Sequence, residues 1–278
     1  GTYTSATSLT CQDRPGSYQH EKEDGAYYVQ NKITYIKIDD CGGTRWKASN
    51  ESWIRFKQEF ETLGVIDDMV RSVEYCHPGD ECNQWIRDVA NMWRVSADIQ
   101  ATFGSVLNNA DAGLGSRLTQ RVGHYNDPDM AETGQPGLTI DEQKVQISLW
   151  ALLSAPILIS FDLTAAPSEI IDIVNNPRVL AIDQDPAVTP AFRVASNSSG
   201  VETWIKNLST GDFAVGLLNR GETAGDITVY WSNLNVTNTT TLEITDAWSG
   251  KSLGEHTTSY TAQAVAPHSC TLITLDKK

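Results

Sequence analysis

Three short segments carry acids where a strand would end: Lys37-Ile38-Asp39-Asp40-Cys41, Trp93-Arg94-Val95-Ser96-Ala97-Asp98-Ile99, and Gly123-His124-Tyr125-Asn126-Asp127-Pro128-Asp129-Met130. Each is an apolar, strand-like stretch closing on a carboxylate. In a barrel of parallel strands the active site lies at the strand C-terminal ends, so such acids converge on one pocket. Two carboxylates, one ionised and one protonated, suffice for glycoside hydrolysis. Taken singly, each acid has a plainer reading, as a structural carboxylate that caps a helix or pairs with a base. Together they make a sugar-cleaving enzyme the leading expectation.

The elements around these segments suit that placement. Up to about residue 187, short β-branched or apolar runs alternate with longer helical patterns, which implies repeated βα units and a parallel sheet. Tyr35–Asp39 reads as one strand. Ser52 to Leu63 reads as a helix with Ser52 as N-cap and Trp53, Phe56, Phe60 and Leu63 on one face. Asp141 to Leu153 repeats the pattern with Asp141 as cap, Pro156 stops it, and Ile157–Phe161 reads as a buried strand. Beyond residue 187 the chain alternates in short runs, Val201–Ile205, Phe213–Leu218, Ile227–Trp231 and Cys270–Leu275, separated by Gly, Asn and Ser turns. These imply an antiparallel β-sandwich. The expected boundary falls after Asp183-Gln184-Asp185-Pro186, giving a barrel over 1–186 and a sandwich over 187–278.

Composition excludes several partners. With 278 residues the chain can bury a substantial core as one large domain or two smaller ones. A net charge of -14 repels phosphate backbones and anionic lipid heads, so no nucleic-acid or membrane partner is expected. The longest apolar run, residues 147 to 161, is interrupted by Ser148, Ser154 and Pro156 and is too short to span a bilayer. The first residues lack the charged-then-apolar pattern of a signal peptide, so any such leader is expected to have been removed or to lie outside this sequence.

Asn-x-Ser/Thr sequons occur at Asn50, Asn197, Asn207, Asn235 and Asn238. The last three fall in strand-and-turn sequence where surface loops are expected, which suits a secreted glycoprotein, although Ser/Thr-rich turns also generate sequons by accident. Cys11, Cys41, Cys76, Cys82 and Cys270 allow two disulfides and one thiol, consistent with an oxidising compartment. The expected location is extracellular or vacuolar-lysosomal.

The ordered segments resemble glycoside hydrolase family 27, the α-galactosidase and α-N-acetylgalactosaminidase family. Lys37-Ile38-Asp39-Asp40-Cys41 is similar to its nucleophile block, Trp93-Arg94 with Asp98-Ile99 to its acid/base block, and Asn126 to Met130 to a substrate-binding block. Glu142-Gln143, Gln146, Leu149-Trp150-Ala151, Ala155-Pro156 and Ser160 to Leu163 resemble its last barrel helix and strand, and Ala181 to Pro186 its exit from the barrel. Leu218-Asn219-Arg220 and Asp246-Ala247-Trp248-Ser249 resemble its C-terminal β-domain. The resemblance covers essentially the whole chain.

It implies a (β/α)8 TIM barrel followed by an antiparallel β-sandwich, with Gly1-Thr2-Tyr3 as the third barrel strand. The first two βα units, of order 60 residues, would then come from elsewhere. An open fragment exposes sheet edges and an unfilled interior, so an N-terminal polypeptide fragment is expected to complete the barrel, the alternative being a natural truncation that folds differently. The implied reaction is double displacement with retention, with Asp39 as nucleophile and Asp98 as acid/base. Lys37, two residues from Asp39 on the same strand face, is expected to favour the ionised nucleophile. The resemblance further implies sugar contacts from Tyr3, Cys11, Lys37, Glu74, Arg94, Asp129 and Met130, and a Cys11–Cys41 disulfide. Lys37 as a snorkelling strand-end lysine, Met130 as packing, and Arg94 with Asp129 as a mutual salt bridge remain alternatives.

The chain departs from the family pattern at Val73-Glu74-Tyr75-Cys76, where Val73 replaces a usual cysteine. Cys76 and Cys82 are expected to close a small local loop. A zinc site in that loop would have too few ligands, too close together, and no metal or other cofactor is expected. This loop helps set the choice between galactose and N-acetylgalactosamine, which stays open. The expected function is a secreted exo-α-glycosidase, foremost an α-galactosidase acting on a carbohydrate substrate. The alternative is a non-catalytic relative that serves as a carbohydrate-binding or structural glycoprotein, with Cys270 available for pairing between chains in an oligomer.

Overall fold

Alternation in Tyr35-Ile36-Lys37-Ile38-Asp39 sorts the side chains of one strand onto two faces. Ile36 and Ile38 are fully buried, whereas Tyr35, Lys37 and Asp39 are half-buried on the opposite face. In the computed structural model, which describes residues 1–41, 46–74, 84–196 and 199–277, this strand lies second in a parallel sheet. Cys76, Cys82 and Asn197, with the loop considered for zinc, lie outside the described residues.

The chain forms two compact units. The first comprises Gly1–Val95 with Gly123–Asp127. It runs β1 (Thr2–Ser5), α1 (Glu21–Gln30), β2 (Tyr35–Asp39), α2 (Trp46–Thr62), β3 (Val70–Val73), α3 (Ile86–Val89), β4 (Met92–Arg94) and β5 (Tyr125–Asp127). The strands pair in the order β1-β2-β3-β4-β5, all parallel. Ile36 and Ile38 pack with Trp53, Phe56 and Phe60 of α2 and with Ile86 and Trp93, so one face of the sheet is sealed by helices. The other face is left to Tyr3, Lys37 and Asp39. Helix α2 begins well before Ser52. That residue is a fully buried position inside the helix rather than its N-cap, because the segment from Trp46 already adopts helical backbone.

The second unit comprises Ser96–Val122 with Pro128–Lys278. It contains α4 (Phe103–Gly115), α5 (Ile140–Leu153), α6 (Ser168–Val174) and α7 (Pro177–Asp183), then β6 (Phe192–Ser196), β7 (Val201–Asn207), β8 (Phe213–Asn219), β9 (Gly225–Tyr230), β10 (Leu242–Asp246), β11 (Ser252–His256), β12 (Ser259–Val265) and β13 (Ser269–Lys277). Helix α5 starts one residue before Asp141, and its cap is Thr139: the Thr139 hydroxyl accepts from Glu142 N while the Glu142 carboxylate accepts from Thr139 N. Ser154 ends the helix in the left-handed region, ahead of Pro156. The stretch expected as strand 157–161 pairs only at Ile159, which bridges Ala131 in parallel, while Ala131 N donates to Leu158 O. The antiparallel part forms a sheet in the order β11-β10-β13-β8-β7-β6, with β12 paired to β9. Its interior joins Ile205, Val215, Leu217, Ile227, Val229, Trp231 and Ile273.

Buried charge fixes this unit. The fully buried Lys206 of β7 donates from Nζ to Ala151 O at 2.8 Å, to Ser154 Oγ at 2.5 Å and to Ile182 O, so one ammonium serves the C-terminal carbonyls of α5 and α7. Burial pushes Asp183 up to about 7 and Lys206 down to about 8, each restrained by the other's charge. Replacement by an apolar isostere leaves those acceptors unmet. Lys206→Met is expected to lower unfolding free energy by about 3 kcal/mol or more, measured by urea denaturation. Arg220, from Leu218-Asn219-Arg220, makes a fork to Asp111 of α4 at 2.8 Å on both arms and reaches Glu202 at 2.8 Å. Asn219 donates to Thr223 O and Val265 O and accepts from Gly221 N. That motif is structural. Cys270 carries a free, half-buried thiol packed against the core beside Gly216, and burial pushes it up to about 12.

Candidate active site

Asp39 ends β2, and its neighbours in register are set by the sheet: Tyr3 lies opposite Lys37, and Ser5 opposite Asp39. Tyr3 Oη donates to Asp39 Oδ2 at 2.7 Å, and the backbone N of Asp40 donates to Asp39 Oδ1 at 2.7 Å. Each carboxylate oxygen thus has one fixed donor, and the head group is held in one orientation. Burial, the hydrogen bond to Asp39 and the charge of Asp39 push the Tyr3 phenol well above its ordinary value, so it stays protonated as a donor. Cys11 and Cys41 form a disulfide with Cα atoms 4.9 Å apart. Cys11 Sγ lies 3.9 Å from Asp39 Oδ2 and Cys41 Sγ 3.2 Å from Tyr3 Oη, so the bridge walls one side of the carboxylate. With both sulfurs bonded, the Cys11, Asp39 and Cys41 grouping offers one anionic ligand, too few for a metal.

Tyr3→Phe removes one of these donors without disturbing a buried core, since Tyr3 is 44% exposed. Turnover is expected to fall by about tenfold with little change in Tm, measured by initial rates beside a thermal melt.

Lys37 has a direct partner other than Asp39. Its Nζ donates to Glu74 Oε2 at 2.6 Å. Glu74 follows β3, whose strand pairs in register with β2, and a separation of 37 positions along the chain hid this partner. Arg94 Nη1 of β4 lies 4.0 Å from Glu74 Oε1. Burial raises Glu74 above the usual carboxylate range and outweighs the lowering by Lys37 and Arg94. Two cations around one acid form a polar cluster able to donate to and accept from hydroxyl groups, the chemistry of a sugar contact.

In the second unit, Asp98 is exposed on the loop that follows β4, with the backbone fixed on either side of it. Asn109 Nδ2 of α4 donates to Ala97 O at 3.0 Å and to Pro128 O at 2.9 Å, and Ile99 N donates to Asp129 Oδ2 at 2.9 Å. Met130 N donates to Asp129 Oδ1 at 2.8 Å, so Asp129 bonds backbone through both oxygens. Its own backbone is left-handed, φ 84°, and its carbonyl accepts from Trp150 Nε1 at 3.0 Å. Met130 is 38% exposed, and its carbonyl accepts from Gln146. Asn109 and Trp150 were not anticipated. The signal for Asn109 is a buried polar residue, 3% exposed, within the apolar face of α4.

Of the sequons, Asn207 at the end of β7 and Asn235 and Asn238 after β9 are exposed, as carriers of a glycan must be, while Asn50 is half-buried within α2.

Residues 1–185 match the family profile described as alpha galactosidase A, and residues 198–275 match the alpha galactosidase C-terminal beta sandwich domain. The chain belongs to the alpha-galactosidase family. Its fold is therefore the TIM barrel of that family, with a β-sandwich following, and its members are glycoside hydrolases. A probable alpha-galactosidase of Dictyostelium discoideum is 34% identical over 99% of this chain and 71% of its own length. Alpha-galactosidase 3 of Arabidopsis thaliana is 30% identical over 99% of this chain and 62% of its own length. The crystal structure of alpha-galactosidase I from Mortierella vinacea superposes with a TM-score of 0.92 at 26% identity, over 99% of this chain and 76% of that one. The chain thus spans roughly two thirds of the length of these curated alpha-galactosidases, with a disulfide in place, and no described helix is long and apolar enough to cross a membrane.

Proposed function

We propose that the chain carries the chemistry of a secreted, retaining exo-α-galactosidase that removes terminal α-linked galactose. Asp39 is the nucleophile and Asp98 the acid/base. The observation that supports this most directly is the Asp39 carboxylate held by Tyr3 Oη and Asp40 N, each at 2.7 Å, beside a disulfide wall. Such fixing is what a displacement needs, because the attacking oxygen must not rotate away from the anomeric carbon. In the first step an Asp39 oxygen bonds to that carbon as the bond to the aglycone oxygen breaks, and Asp98 gives its proton to the departing oxygen. In the second, water attacks the same carbon, Asp98 takes a proton from the water, and Asp39 is released.

Tyr3, Cys11, Lys37, Glu74, Arg94, Asp129 and Met130 are proposed to surround the terminal sugar, with the Lys37–Glu74–Arg94 cluster binding its hydroxyls. Residues 1–186 form the catalytic part and 187–278 the β-domain. The family relatives are longer, and polypeptide corresponding to the rest of their length is proposed to complete the barrel. Glycans at the exposed Asn207, Asn235 and Asn238 and the Cys11–Cys41 bridge suit an extracellular or vacuolar-lysosomal site of action.

The test is release of p-nitrophenol from its α-galactoside and from its α-N-acetylgalactosaminide, with Asp39→Asn as the blank. Release from the galactoside in preference supports the reading. Release from the acetamido sugar in preference changes the substrate, and release from neither overturns the enzyme.

A further inference from the structure

Asp246-Ala247-Trp248-Ser249 is a motif the catalytic account leaves unused, and it lies in the second unit. Asp246 Oδ1 accepts from Ser249 N at 2.7 Å and Ser249 Oγ at 2.6 Å, and Gly250 turns with φ 72°. Trp248 O accepts from Asn176 Nδ2 at 2.9 Å and from Arg178 Nη2 at 2.5 Å, and Ala247 N donates to Leu272 O at 2.9 Å. The loop is therefore rigid, and its indole is half-buried with Nε1 donating to Ser148 Oγ at 3.2 Å. A tryptophan whose ring N–H is already satisfied presents mainly apolar surface.

That ring borders a cavity of about 430 Å³ that is also lined by Lys144, Glu169, Asp172, Asn176 and Ser249. This is within the size range of small-ligand pockets. Lys144 Nζ stands 6.0 Å from the Trp248 ring centroid. Neither Glu169 nor Asp172 has a hydrogen-bond or ion-pair partner among the described residues, and both are exposed at the rim. The cavity thus combines an aromatic wall with acceptors from two carboxylates and a donor in the Lys144 ammonium. Two carboxylates repel an anion, and the ammonium already beside the ring disfavours a second cation. A neutral polyol with one apolar face meets both conditions.

We propose that this cavity is a second carbohydrate site, sharing no residue with the catalytic set, which holds a galactose unit of an oligo- or polysaccharide. Galactopyranose suits it because the axial 4-hydroxyl leaves the C3, C4 and C5 hydrogens as one apolar patch that stacks on an indole, with the ring hydroxyls directed to Asp172, Glu169 and Lys144. The choice of galactose rests on the α-galactosidase reading. The effect is retention of a branched substrate by a second contact, which raises its effective concentration at the catalytic carboxylates.

The experiment is affinity electrophoresis of the Asp39→Asn protein through gels containing galactomannan, with unsubstituted mannan in parallel gels. Galactomannan should retard the protein and mannan should not. Asp172→Ala in the same background should weaken retardation by about threefold, from loss of one charged acceptor, and Trp248→Ala by about tenfold, from loss of the stacking face. Asp172 is exposed and unpartnered, so its removal leaves folding intact even if Trp248→Ala unfolds the loop. Unchanged retardation in Asp172→Ala, or equal retardation by mannan, overturns the proposal. Absence of hydrolysis by the wild-type protein would overturn the α-galactosidase reading instead, and the gel comparison would still decide the site.

Discussion

Asp39→Asn is expected to abolish hydrolysis of an α-galactoside, by at least about a thousandfold in kcat, while leaving the melting temperature almost unchanged. The side chains are isosteric. The Asn carbonyl oxygen accepts from Asp40 N as Oδ1 does now, and the amide nitrogen can donate to Tyr3 Oη, which reverses that bond without losing it. Asp39 is also half-buried at the sheet face rather than in the core formed around Ile36, Ile38 and Phe56. What vanishes is the anion that attacks the anomeric carbon. A neutral amide cannot form the glycosyl ester, so no electrostatic compensation elsewhere restores the rate. Residual activity near that of the wild type would remove Asp39 from the mechanism. A collapsed melting temperature would show a structural carboxylate instead.

Asp98→Ala is expected to fail in a different way, one that depends on the leaving group. Loss of a general acid slows departure of a sugar alkoxide by roughly 100- to 10,000-fold. A p-nitrophenolate leaves without a proton, so the first step on that substrate is largely spared. The second step still lacks its base, and the glycosyl-enzyme accumulates. A rapid burst of p-nitrophenol approaching one equivalent, then slow turnover, is the expected trace by stopped flow. The fold should hold, because Asn109 Nδ2 bonds the Ala97 and Pro128 carbonyls and Asp129 Oδ2 accepts from Ile99 N, which fixes the backbone on both sides of Asp98. Equal loss on both classes of substrate, with no burst, would exclude Asp98 as the acid/base.

The sequence made some of this legible and hid the rest for physical reasons. Alternation marks β2 and β9, and apolar or β-branched runs mark β7, β8 and β13, and strands form at these places. Strands β11 and β12 escaped because Ser252-Leu253-Gly254-Glu255-His256 and Ser259 to Val265 have mostly exposed side chains, so one-sided burial never imposes a clear period. Thr139 and Asp141 are both good caps for α5, and only the reciprocal bonds with Glu142 distinguish them. The last parallel pairing shrinks to the Ala131–Ile159 bridge, although Ile157–Phe161 has strand composition. In the candidate site, acids at strand ends were visible, whereas their partners were not. Tyr3 serves Asp39 across 36 residues and Glu74 takes Lys37 across 37. Sequence adjacency pointed Lys37 at Asp39, whereas its register partner on β3 is Ser72 and its ammonium reaches the Glu74 carboxylate just past that strand.

Covalent trapping tests the central claim most directly. The protein is incubated with a fluorinated galactosyl donor whose second step is slow, denatured, digested and mapped by mass spectrometry. The account predicts one added galactosyl unit on the peptide containing Asp39, formed in the wild-type protein and absent from Asp39→Asn. A label on any other carboxylate, or turnover with no labelled peptide and a β-configured first product, would contradict it.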